Sequence, residues 1–101
     1  MTKPLPQSPE QVLDLISNAE HHRKFVWTAS RVLREGGLLS SIGGVSYSER
    51  RAVLKRITGF LEDLAARGIL HRRAEFQSIG FGYEIGFDYV GPLEQQRSAR
   101  L

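Results

Sequence analysis

Four cations, Arg50, Arg51, Lys55 and Arg56, fall within seven residues of "VSYSERRAVLKRITGFLEDLAARGILHRR", the stretch from Val45 to Arg73. On a helix none of them has an Asp or Glu three or four positions away, the spacing at which a side chain of opposite charge would answer it. Arg51 and Lys55 are instead a like-charged i,i+4 pair, which costs an isolated helix roughly 0.2–0.5 kcal/mol. Cations in the first turn also oppose the helix macrodipole by roughly 0.3–1 kcal/mol each. A helix front built in this way offers one chemistry, the binding of an external anion. The plain alternative is a solvated face on which charges cluster by chance.

Other candidate chemistry is weaker. Gly80-Phe-Gly82-Tyr-Glu-Ile-Gly86 has the glycines of a phosphate loop, but such a loop needs a strand before it and a helix after it. Here β-forming residues flank the glycines on both sides, and a turn is the simpler reading. His21 and His22 are adjacent, so on a helix they diverge by roughly 100° and cannot grip one metal ion as an i,i+4 pair can. His71 is remote from both. The serines have no nucleophile elbow or triad setting, and the acids show no paired arrangement. No enzyme, metal or cofactor is expected.

The totals narrow the classes further. At 101 residues, 41% hydrophobic and 25% charged, the chain suits one globular domain with a real core. It has no cysteine, which removes disulfides, thiolate chemistry and cysteine-held metals. No apolar run approaches the ~20 residues of a membrane span, and "MTKPLPQSPEQ" lacks the apolar stretch of a secretory signal, so a cytoplasmic protein with no membrane partner is expected. The net charge of +3 is mild, but its distribution is uneven. Residues 1–49 balance five Lys/Arg against five Asp/Glu, whereas residues 50–73 set seven cations against Glu62 and Asp63. Such asymmetry fits contact with nucleic acid or another polyanion.

The elements that must carry these residues can be read in outline. Residues 1–8, with Pro4 and Pro6, form a flexible leader. Ser8-Pro9-Glu10-Gln11 opens a first helix over about 9–20 with an N-cap, a proline at the first position and a capping box. Val12, Leu15, Ile16 and Ala19 form its apolar stripe. Phe25/Val26, Ala29 and Val32/Leu33 restart helical spacing until Gly36-Gly37, which predicts a second helix, with one long bent helix over 9–35 as the alternative. "GGLLSSIGG" is a glycine-bounded connector with room for one helical turn around Leu38–Ile42.

The third helix has the clearest limits. Ser46 and Glu49 form a capping box, Val53, Ile57, Phe60/Leu61 and Leu64 make the stripe, and Gly68 ends it. Projection at roughly 100° per residue turns Ser48, Arg51, Ala52, Lys55, Gly59 and Glu62 outward, with Arg56 beside them and Arg50 in the first turn. "ILHRRAEF" and "FGYEIGFDYV", joined by "QSIGFG", predict a two-stranded antiparallel ribbon over 69–90. Residues 92–101 form a flexible tail, leaving an α+β domain over 9–91: a three-helix core followed by a hairpin. Trp27, Tyr83, Phe87 and Tyr89 are assigned to core packing, with an interface patch as the alternative.

Two helices, a glycine-rich connector, an amphipathic third helix ending Leu64-Ala-Ala-Arg-Gly68-Ile69-Leu70-His-Arg72 and then a β-ribbon resemble the winged helix-turn-helix domain of transcription regulators. "TASRVL" at 28–33 is similar to the helix that precedes the recognition helix in that superfamily. The resemblance implies a helix from Ser46 to Arg67 entering the major groove of duplex DNA, and a 70–90 hairpin lying against the flanking backbone. Ser48, Arg51, Ala52 and Lys55 would then face base edges, Arg50 and Arg56 would hold phosphates, and Arg72, Arg73 and the tip from Gln77 and Ser78 to Gly82 would touch the backbone. The connector from Gly36 to Val45 is longer than the usual three- or four-residue turn.

A DNA-binding regulator is therefore the leading expectation. A homodimer through the first helix and the tails is compatible with it, because helix-turn-helix readers often bind two half-sites. The second expectation is an adaptor or inhibitor whose basic face docks on an acidic protein. RNA ranks lower, because no exposed aromatic platform is expected.

Overall fold

Thr28 decides where the second helix starts, and with it the architecture. In the computed structural model, which describes residues 4–20, 22–78 and 82–91, the Thr28 Oγ1 accepts the Arg31 N–H at 3.2 Å and caps a helix that begins only at Ala29. The residues before it, Val26 and Trp27, are extended and pair with Asp88 and Phe87. The second helix expected from Phe25 thus forms from Ala29 to Glu35, and a short strand takes the place of its first turn. Three β-favouring residues in succession, Phe25-Val26-Trp27, satisfy a buried strand as well as they satisfy one side of a helix.

The chain runs α1 (Pro9–Asn18), β1 (Val26–Trp27), α2 (Ala29–Glu35), a 3-10 turn (Leu39–Ile42), α3 (Tyr47–Ala66), β2 (Leu70–Ser78) and β3 (Gly82–Tyr89). The hairpin forms as expected, but the sheet is three-stranded rather than two-stranded, antiparallel in the order β1-β3-β2. A bulge between Arg72 and Glu75 shifts the β2–β3 register by one residue. The fold is α+β, with three helices packed on a small sheet.

Local signals set most helix ends. Ser8 Oγ accepts the Gln11 N–H, and Gln11 Oε1 reaches back one residue further than expected, to the Gln7 N–H at 2.6 Å. Ser46 Oγ accepts the Glu49 N–H at the start of α3. At its end Gly68 takes φ +81, and the Gly68 and Ile69 N–H groups close on the Ala65 and Leu64 carbonyls. The Ile69 carbonyl then accepts both Val90 and Gly91 N–H groups, which locks the base of the hairpin to the helix end.

The core joins every layer. Val12 and Ile16 from α1, Val32 and Leu33 from α2, Ile57, Leu61 and Leu64 from α3, and Trp27, Leu70 and Phe87 from the sheet are buried together. Leu5 packs against this cluster and Pro6 is buried, so the described part of the leader lies on the domain. Tyr89 is half-buried, with the His22 ring edge-on at 4.7 Å. The Tyr83 side chain, His21 and the tail at 92–101 lie outside the description.

Gly59 sits in the middle of α3 with nothing within 4 Å of where a Cβ would stand. Alanine removes the backbone-entropy penalty of a mid-helix glycine. Gly59→Ala is therefore expected to stabilise the chain by about 0.5–1 kcal/mol, read as a higher urea midpoint with an unchanged slope.

Candidate nucleic-acid interface

The core grips α3 more tightly toward its rear. Its buried residues, Ile57, Leu61 and Leu64, begin halfway along, whereas Tyr47, Ser48, Glu49, Arg51 and Ala52 are all exposed. In the front half only Val53 and Leu54 pack against the core, partly buried, so the outer side of the front turns faces solvent. Lys55, Arg56, Gly59 and Glu62 are exposed as well, and Arg50 is half-buried. Every residue assigned to the outward face of this helix is thus at the surface.

The charges on that front are unanswered. Among the described residues, no carboxylate lies within 4.0 Å of Arg50, Arg51, Lys55 or Arg56, although five ion pairs form elsewhere. Two of the four lie against rings: Arg51 is 5.8 Å from the Tyr47 ring centre and Arg56 is 5.9 Å from that of Phe60. Such contacts leave the cation charged and its N–H donors free for other partners. Ser48 and Ala52 are exposed between them, a hydroxyl and a methyl group small enough to let a helix approach a groove.

The hairpin cations are placed differently. Arg72 Nε lies 3.5 Å from Glu62 Oε1, and Arg73 Nε lies 3.4 Å from Asp88 Oδ2. Both pairs are solvent-exposed, a setting in which such contacts hold weakly and yield to salt or to a stronger anion. The first also answers Glu62, the one acid on the outward face of α3. Gln77 and Ser78 are placed by their backbones at the end of β2, opposite Tyr83 and Gly82. Their side chains, and residues 79–81 of the tip, lie outside the description.

Two acidic contacts hold the scaffold behind this surface. Glu84 on β3 accepts the Ser30 N–H at 3.0 Å through Oε1 and the Ser30 hydroxyl at 2.5 Å through Oε2. Ser30 and Thr28 are buried, and their hydroxyls lie 3.1 Å apart. This clasp ties the hairpin to the start of α2 and satisfies groups whose burial would otherwise be costly. At the far end, Arg67 bridges Asp63 on its own helix, at 2.8 Å, and Glu10 on α1, at 2.9 Å.

The Arg67 hydrogen bond holds the Glu10 carboxyl below its ordinary value of 4.5. A carboxyl whose pKa is depressed on folding stabilises the folded state above its unfolded value and loses that contribution as pH falls through the folded one. Thermal stability should accordingly decline as pH drops below about 4.5, and Glu10→Gln should flatten part of that decline. The group is fully exposed, so the amplitude is small.

One residue on the front of α3 escaped the sequence reading. Tyr47 is 71% exposed, the most exposed of the large hydrophobic residues described. Four positions before Arg51, it lies about 40° from it around the helix, on the side away from Ser48, Ala52 and Lys55, so the projection sets it at the edge of the outward face.

Among the described residues no group of three or more His, Asp or Glu side chains could hold a metal ion, and no helix is long and apolar enough to cross a membrane. Comparison with protein-family models, curated proteins and solved structures yields no match to this chain.

Proposed function

We propose that this chain is a non-enzymatic, winged-helix DNA-binding protein, a regulator of transcription, that presents the front of α3 to the major groove of duplex DNA. The observation that carries this reading is the exposure of Arg51, Lys55 and Arg56, with Arg50 half-buried beside them, on the first turns of α3 with no carboxylate within 4.0 Å among the described residues. A phosphate backbone supplies the missing charge, and release of its condensed counterions supplies the driving force. An α-helix fits the major groove, and arginine suits bidentate contact with guanine.

The arrangement of the other elements supports the same reading. The hairpin follows directly from the end of α3 and is tied to α2 through Glu84, so α3 and the strands are held as one unit. Arg72 and Arg73 then serve as auxiliary phosphate contacts, exchanging Glu62 and Asp88 for the backbone. A cleft of 410 Å³ between the leader, α1 and the end of α2 is lined by a single ionisable side chain, Asp14, which is poor equipment for acid–base catalysis.

The test is a titration of labelled mixed-sequence duplex followed by fluorescence anisotropy across a range of salt concentrations. Binding whose affinity falls steeply and linearly on a double-logarithmic plot is the expected result. No binding at low salt, with retention of an acidic protein partner, would favour an adaptor instead.

A further inference from the structure

We infer that Tyr47 is a stacking platform for an unpaired base, so that the DNA this protein prefers is duplex bordered by single strand: a gap, an extension or an opened step. The inference rests on the DNA-binding reading above and specifies its substrate. Three features on the page meet at this point. The ring is 71% exposed, so one of its faces can be covered by a ligand without any rearrangement of the core. The Arg51 guanidinium sits 5.8 Å from the ring centre, so a planar cation and an aromatic ring stand side by side on one helix face. Around the helix Arg50 and Arg51 lie about 60° and about 40° to either side of the ring, with Lys55 one turn beyond Arg51, whereas Arg56 is about 180° away, on the far side.

An aromatic ring set among unpaired cations is the equipment for single-stranded nucleic acid. The cations track the backbone, the ring stacks on a base, and arginine adds a second planar surface. A base locked in a duplex offers only its edge to the groove, whereas an unpaired base offers its face. The duplex-facing part of α3, Ser48, Ala52 and Lys55, continues along the helix from Tyr47. A ring at the leading end of such a helix meets the boundary between paired and unpaired DNA if the helix lies in the groove beside that boundary. The hydroxyl is not needed for this contact, and the aromatic face is.

The experiment compares three labelled DNAs by anisotropy: a blunt duplex, the same duplex with a short unpaired thymidine extension, and the same duplex with an abasic extension of equal length. The abasic strand keeps the phosphates and removes the bases, which separates stacking from charge. The wild-type protein is expected to bind the thymidine extension about five-fold or more tighter than the abasic one. Tyr47→Ala should abolish that difference while leaving blunt-duplex affinity within about two-fold, and Tyr47→Phe should preserve it. Equal wild-type affinity for the two extensions, a difference that survives Tyr47→Ala, or a loss in Tyr47→Phe as large as in Tyr47→Ala would each overturn the platform. Blunt-duplex binding that persists in any of those cases leaves the duplex reading standing, whereas absence of binding to all three DNAs overturns both.

Discussion

Trp27→Ala is expected to cost about 3–5 kcal/mol, the loss that follows truncation of a large aromatic in a packed core. Trp27 is 0% exposed, sits opposite Phe87 in the β1–β3 pair, and its indole Nε1–H donates to the His22 carbonyl at 2.9 Å. The substitution therefore opens a cavity, removes a hydrogen-bond donor and weakens a strand of two residues at once. Domains of this size are stable by about 5–15 kcal/mol, and each kcal/mol moves the midpoint by about 4–8 °C. A fall in Tm of more than about 12 °C by far-ultraviolet circular dichroism is the expected outcome. A shift of only a few degrees would mean that β1 contributes little to the sheet.

Joint replacement of Arg51 and Lys55 by alanine should separate binding from folding. Both side chains are exposed, and neither has a carboxylate partner among the described residues. Removing them relieves a like-charged i,i+4 pair, so stability should stay level or rise by roughly 0.2–0.5 kcal/mol. Affinity for a selected duplex at moderate salt should nonetheless fall by about 10-fold or more with base preference relaxed, because both would face base edges. Replacing the phosphate-facing Arg50 and Arg56 by alanine should instead flatten the double-logarithmic salt slope by about 1.8, the change for two lost phosphate contacts. Arg34→Ala, an exposed cation at the end of α2, is the control and should change affinity by less than about two-fold. Equal losses from Arg34→Ala and from the joint Arg51 and Lys55 replacement would point to net charge rather than to this helix face.

What could be read in advance follows the range of the interactions involved. The limits of α3 depend on neighbours: Ser46 caps the N–H three residues on, and Gly68 takes the positive φ that ends the helix. The outward face follows from helical geometry alone, and Ser48, Arg51, Ala52, Lys55, Gly59 and Glu62 all reach solvent. Contacts between distant segments leave no such local trace. Trp27 finds Phe87 across most of the chain, so Phe25-Val26 passed for the start of a helix when Val26 and Trp27 belong to a third strand. For the same reason the pairing of Arg72 with Glu62 and of Arg73 with Asp88 lay beyond an i,i+4 count. Glu84 alternates with Tyr83 and Ile85 along β3, a charged position that local sequence marks for solvent, yet its carboxylate closes on the buried start of α2. Tyr47 is different: helical projection sets it at the edge of the outward face, midway to the apolar stripe, so its exposure follows from the packing around the start of α3 and not from the stripe.

Mapping of backbone amide shifts while unlabelled duplex is added to isotope-labelled protein tests most directly whether the front of α3 is the surface that meets DNA. The account predicts that the largest changes fall on residues 48–56, with smaller ones at Arg72 and Arg73. Changes centred on α1 and the cleft beside Leu5 and Leu38, with 48–56 unmoved, would contradict it.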